Sequence, residues 1–360
     1  MTEPASWLQT DVLRHSARLG RRIRQDPPGQ LGVPSQNLAV LALRRGETDR
    51  AVSLAEYMME EFTLLSDTVL NGWLSQLTGH LEARLSLPPL LLRVPGTHVW
   101  AALHQVAQAF QQDAIAAIRA GDAAQARLLL DHCRRVMKTI NDETVRFIQD
   151  ILTVLDQRFG EQAPVDAMRG PYESIWRERY RNWEDLTAEE KLQLSCEGMR
   201  SHFGGPTRDG AFAVRDEGDR YCMEFAACGT GGMLRYGDPE TGAGPWPTAG
   251  VNRTPQPYTW GKTGVPWYCT HCSLYLEHWP AEDRGYPLRP VSYDDDPASP
   301  VSTAWYIYKE PRHARDEDYR RIGRAGRDGP PETVKREAEV GGGRHAGGLG
   351  GRPPEASTAT

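Results

Sequence analysis

The chain has 360 residues, a formal net charge of −6 and six cysteines. That length accommodates two folded domains without disulfide staples, and the mild acidity with no basic stripe argues against nucleic-acid binding. The most apolar run, Leu85 to Val94, is short and broken by Pro88 and Pro89, and Met1-Thr2-Glu3-Pro4 opens no apolar signal segment, so neither a membrane span nor export is expected.

Residues 1–30 read as an N-terminal extension, and residues 31–165 as a mostly helical bundle. Ala51, Val52, Leu54, Ala55, Met58, Met59, Phe62 and Leu65 fall on one helical stripe, and Val145, Ile148, Ile151, Leu152, Leu155 and Phe159 on another. A faint repeat accompanies them. Arg44-Arg45-Gly46-Glu47 precedes a helix beginning Arg50-Ala51-Val52, and Arg119-Ala120-Gly121-Asp122 precedes one beginning Gln125-Ala126-Arg127. Each reads as an αα-hairpin of the kind loosely similar to tetratricopeptide hairpins, although two copies make a bundle rather than a solenoid.

Pro164 to Tyr172 reads as a linker. Thr187 and Glu190 form a capping box that opens a helix carrying Leu192, Cys196 and Met199. Beyond Gly204-Gly205-Pro206, strands are predicted at 212–214, 220–225 and 302–308. Residues 171–312 therefore form a smaller, loop-rich α+β domain, and the chain as a whole is α+β. Residues 313–360, rich in charge and glycine, are expected to be a disordered tail.

The residues that most resemble a site lie between 222 and 278. Cys228 precedes Gly229-Thr230-Gly231-Gly232, and Tyr268-Cys269-Thr270-His271-Cys272 follows after a stretch of turns. A Cys-x-x-Cys pair puts two thiolates on one tight turn, which suits a soft tetrahedral metal such as zinc. Cys228, Cys269 and Cys272 are the expected metal ligands, with His278, His271, His202 or an open water position as the fourth. A redox dithiol, or plain packing of core thiols, is the alternative.

His271 is expected to point away from the centre that its neighbours bind, serving as a proton carrier. Glu224 and Glu277 are candidate general bases. Arg235 and Arg253 are candidates to hold a substrate carboxylate, and Trp267 to wall a pocket. The glycines after Cys228 match neither the dinucleotide nor the P-loop pattern, so no nucleotide cofactor is expected. Cys133 and Cys196 fall on apolar helical faces and read as structural.

These motifs, with Gly264-Val265-Pro266-Trp267 and Gly285-Tyr286-Pro287-Leu288, resemble a group of bacterial proteins of uncharacterised function that join a helical N-terminal half to a cysteine-bearing C-terminal half. The resemblance covers about residues 200–310. It implies that the motif is functional and brings no activity with it.

Two functions remain open. One is a cytoplasmic small-molecule enzyme, by hydrolysis, lyase chemistry or sulfur group transfer, with a Cys-ligated zinc or a reactive thiol. The other is a binding or regulatory protein whose zinc is structural and whose helical half docks a protein partner or a second copy.

Overall fold

The computed structural model describes residues 13–66, 71–87, 97–181, 183–296, 299 and 301–324. Helices dominate the first half. Helix α1 (Pro28–Leu31) leads into α2 (Ser35–Arg44) and α3 (Thr48–Thr63), and α4 (Asn71–Arg84) and α5 (Thr97–Arg119) precede the 37-residue α6 (Ala123–Phe159). The repeated turn has one geometry in both copies. Gly46 and Gly121 take φ of +79° and +76°, the left-handed conformation that suits glycine. The Glu47 and Asp122 N–H groups reach back to the Ala42 and Ala117 carbonyls at 3.0 and 2.9 Å. The faint sequence repeat is thus two αα-hairpins closed the same way.

The expected linker at 164–172 is helical instead. Helix α7 spans Gln162–Pro171 and runs through a π-turn, Tyr172–Trp176, into α8 (Arg177–Tyr180). Pro164 lies in the first turn of α7, where an N–H has no helical partner to lose. The wider π-turn follows directly on Pro171, where the regular ladder is interrupted. Val165, Met168 and Tyr172 bury against the bundle and hold the segment in place. Helix α9 (Ala188–Arg200) opens on the expected capping box, with both reciprocal bonds formed.

The second half is built on one antiparallel sheet. Strands β3 (Ala213–Asp216), β4 (Arg220–Phe225), β5 (Val291–Tyr293) and β6 (Thr303–Tyr308) lie in the order β3-β4-β6-β5. Val214, Met223, Phe225 and Trp305 join a buried cluster that continues without a break into the residues of α2 to α7. The helical half and the sheet half therefore share one core. Among the described residues, no helix is long and apolar enough to cross a membrane.

Both ends of the fold extend further than expected. Within the supposed N-terminal extension, β1 (Leu13–Ser16) and β2 (Arg21–Arg24) form a hairpin. Arg24 is fully buried and bonded to Asp26, Ser35 and the Val33 carbonyl, and Arg21 pairs with Glu197 of α9. At the other end, residues 313–324 were expected to be disordered. Instead α13 (Asp316–Arg321) packs on the sheet, because its charges are paired and its apolar groups covered. Tyr319 is buried, Asp318 accepts from Tyr308 Oη at 2.6 Å, and Arg321 donates to Glu277 at 2.9 Å. The rest of the expected tail, 325–360, lies outside the described residues.

A buried polar stripe on α6 ties the halves together. Asp142 accepts two bonds from Arg208, at 2.8 and 2.6 Å, and Arg208 also reaches the Gly229 carbonyl at 3.1 Å. Lys138 bonds Asp238 at 2.6 Å and Glu240 at 2.5 Å, and Arg134 also binds Glu240. Burial alone would raise the Glu240 carboxyl, but the bonds and charges of Arg134 and Lys138 outweigh it and hold it at about 2.

Replacing Arg208 by Leu leaves the Asp142 carboxylate buried without its partner. It should cost about 3–5 kcal/mol in denaturant unfolding. A loss below about 1 kcal/mol would show that the network does not bear on stability.

Glu240 adds a pH dependence. Its folded pKa is depressed, so its stabilisation is complete above its ordinary pKa of 4.5 and is lost as pH falls toward 2. Unfolding midpoints measured across that window should fall less steeply in Glu240→Gln than in the parent.

Candidate functional site

The site forms where β4 runs into a short helix. After Phe225 the chain turns through Ala226 and Ala227 to Cys228, which caps α10 (Gly229–Tyr236) in an extended conformation. The Cys228 N–H donates to Ser302 Oγ at 3.1 Å, fixing the turn to the start of β6. Two glycines permit this approach. A Cβ on Gly229 would fall 1.6 Å from the His202 carbonyl oxygen. One on Gly231 would fall 2.7 Å from Cys269 Sγ and 3.9 Å from Cys228 Sγ.

The other thiols arrive on a compound turn. A 3₁₀ segment at Trp267–Cys269 leads into α11 (Thr270–Ser273), a π-turn at Leu274–His278 and α12 (Trp279–Arg284). Helix α6 positions this turn too. Gln149 donates to the Gly250 carbonyl at 2.9 Å and accepts from the Tyr268 N–H at 2.8 Å. As a result Cys228, Cys269 and Cys272 line one small cavity of about 20 Å³, with His271, Arg235 and Thr230. A second cavity, of about 400 Å³, is lined by Cys228, Arg208, Asp238, Asp296, Ser299 and Ser302. Cys228 is the one residue common to both linings.

His271 faces the thiols rather than turning away from them as expected. Its Nδ1 donates to the Tyr268 carbonyl at 2.5 Å, which leaves Nε2 as the acceptor 3.6 Å from Cys272 Sγ. The ring packs among Trp73, Tyr268 and Tyr275. Burial in that aromatic surround lowers its pKa to about 4, so the ring is neutral at pH 7. Burial likewise pushes the Cys269 thiol up to about 12 and raises that of Cys272. Arg235 also borders the thiol cavity. It is held by the Asp294 carbonyl at 2.7 Å and Tyr236 Oη at 2.9 Å, and it stacks on Tyr236 and Tyr293.

The other expected site residues line neither cavity. Glu224 lies on the outer face of the sheet and forms a two-pronged pair with Arg215. Glu277 is fully buried and accepts from the Val291 N–H, Trp260 Nε1 and Arg321 at 2.7, 3.0 and 2.9 Å. Burial pushes its carboxyl up to about 7 against the opposing charge of Arg321, and it acts as a clamp on the loops around the site. His278 is bonded to the Pro257 backbone. Arg253 is spent on Asp156, with two contacts of 2.7 Å. Trp267 is wholly buried in the core. Thr230 and Ser302 were not anticipated from sequence, although Thr230 lies within the glycine-rich motif itself.

Three thiols are the donors that zinc prefers. Among the described residues, however, no group of three or more His, Cys, Asp or Glu side chains is arranged so that it could hold a metal ion. Comparison of the chain with family models, curated proteins and solved structures finds no match.

The geometry sorts the cysteines by access. Cys133 packs on the Met59 sulfur at 3.3 Å, and Cys133 and Cys196 are both fully buried, with thiols raised by burial to about 12. Under native conditions iodoacetamide should modify Cys228 first, and should reach Cys133 and Cys196 only on unfolding. Peptide mapping over time reads the order, and early labelling of either helical cysteine would contradict it.

Proposed function

We propose that this chain is a thiol-dependent enzyme that processes a small polar molecule, with Cys228 as its nucleophile. The observation that most supports this reading is that Cys228 lines both cavities, the small thiol-rich one and the larger one beside it. A cavity of about 400 Å³ suits a small ligand, and Asp296, Ser299 and Ser302 put polar groups in part of its lining.

The chemistry follows from the local backbone. The first-turn N–H groups of α10 have no partner within the helix, and the positive end of its dipole lies at the Cys228 cap. Both favour negative charge on an oxygen that becomes negative as the sulfur adds to a carbonyl. Arg235 adds a positive charge at the border of the small cavity that Cys228 also lines. A covalent adduct on Cys228 is the intermediate this arrangement serves.

Three thiols bordering one small cavity support a second reading, in which they bind a soft metal ion such as zinc after side-chain rotation. In that case the site clips the loops together, and the helical half is the working surface for a partner.

The reduced protein should release a stoichiometric burst of p-nitrophenolate from p-nitrophenyl acetate as Cys228 is acylated. Cys228→Ala should lose the burst while keeping an unfolding midpoint close to that of the parent. A burst that survives in Cys228→Ala would overturn the nucleophile assignment. Stoichiometric zinc in the purified protein, released when Cys228 is alkylated, would favour the second reading.

A further inference from the structure

The nucleophile has a thiol for a neighbour, and a glycine keeps a point beside both sulfurs clear. The sulfurs of Cys228 and Cys269 both lie within 4 Å of the point where a side chain on residue 231 would begin. Glycine at that position leaves the point empty, and any other residue would place a carbon there, 2.7 Å from Cys269 Sγ. The adjoining cavity, about 20 Å³, gives the Cys269 side chain room to rotate.

Cys269 and Cys272 differ in what holds them. The Cys272 sulfur is engaged by His271 Nε2 at 3.6 Å. Among the described residues, the Cys269 sulfur has no hydrogen-bond partner, and Arg235 borders the same cavity. Burial of both sulfurs also keeps a covalent bond between them out of solvent.

We propose that the substrates of this site are small polar disulfides, and that Cys269 is the thiol that resolves the adduct formed on Cys228. This rests on Cys228 being the nucleophile.

In the first step the Cys228 thiolate attacks one sulfur of the substrate disulfide. A mixed disulfide forms on Cys228, the substrate S–S bond breaks, and one thiolate leaves and takes up a proton. In the second step Cys269 attacks Cys228 Sγ, and its proton passes to the departing substrate sulfur. The Cys228–Cys269 disulfide forms, the mixed disulfide breaks, and the second substrate thiol leaves. The substrate gains two electrons and the cysteine pair loses two. A dithiol reductant restores the pair.

The test uses the full chain, reduced and desalted, with bis(2-hydroxyethyl) disulfide as the probe. After acid quenching and alkylation, peptide mapping of the parent should show Cys228 linked to Cys269, with both halves of the probe released as 2-mercaptoethanol. Cys269→Ala should stop at a mixed disulfide on Cys228 that dithiothreitol removes. Gly231→Ala should slow resolution of the mixed disulfide by roughly tenfold or more relative to its formation, because the added carbon falls 2.7 Å from Cys269 Sγ and 3.9 Å from Cys228 Sγ.

If Cys269→Ala does not fold, the parent map and the Gly231→Ala rates decide the matter. A parent protein that stops at the mixed disulfide, or that links Cys228 to Cys272, overturns the role of Cys269 and leaves the nucleophile standing. A Cys228 that the probe does not modify under native conditions overturns both.

Discussion

The whole arrangement depends on one constraint, which is that the buried polar groups of α6 must find partners. Arg134, Lys138, Asp142, Gln149, Thr153 and Asp156 recur at helical spacing along that helix and are all buried. A buried polar group left unpaired costs several kcal/mol, so the segments packed over this stripe are held to conformations that satisfy it. Arg208 answers Asp142, Asp238 answers Lys138, and Gly250 and Tyr268 answer Gln149. Each of these partners lies on a loop, and loops have no ladder of their own to fix them. The helix therefore acts as a rack for a half of the protein that is otherwise short of regular structure.

The site is a consequence of that rack. Cys228 and Cys269 lie some forty positions apart, and the segments bearing them are joined by turns with few internal constraints. Arg208 reaches from Asp142 to the Gly229 carbonyl, which fixes the start of α10 relative to α6. Gln149 fixes the Tyr268 N–H one residue before Cys269. Two loops referred to the same helix are thereby referred to each other, and glycine at 231 lets α10 approach Cys269 closely. The same closeness excludes water, which suppresses ionisation of Cys269 and Cys272.

The aromatic residues serve mainly as walls. Trp73, from α4, meets Tyr268, His271 and Tyr275 from the cysteine-bearing turn, and Tyr275 continues the contact to Trp176 and Trp279. This cluster bridges the helical and sheet halves and keeps the His271 ring neutral. Glu277 and Arg321 brace the same turn from its other side, so that α13 supports the site without entering it.

Local patterns in the sequence determined a good deal. The apolar stripes of α3 and α6, the twin Gly-acid turns, the Thr187–Glu190 capping box, strands β3, β4 and β6 and the cysteine motif were legible, because each depends on residues a few positions apart. The α+β class follows from them. Only the tertiary structure decided what the polar residues do. The polar stripe of α6 gains its meaning only when loops are seen to cover it. Arg253 reads as a substrate anchor until Asp156 claims it, and Glu224 as a base until Arg215 pairs with it on the outer face. Residues 164–172 and 313–324 read as linker and tail because their prolines and charges are costly in isolation, and burial beside distant partners reverses that. Charge and hydrogen-bond partners sit far away along the chain, so their pairing is a property of the folded core and leaves no periodic trace in the sequence.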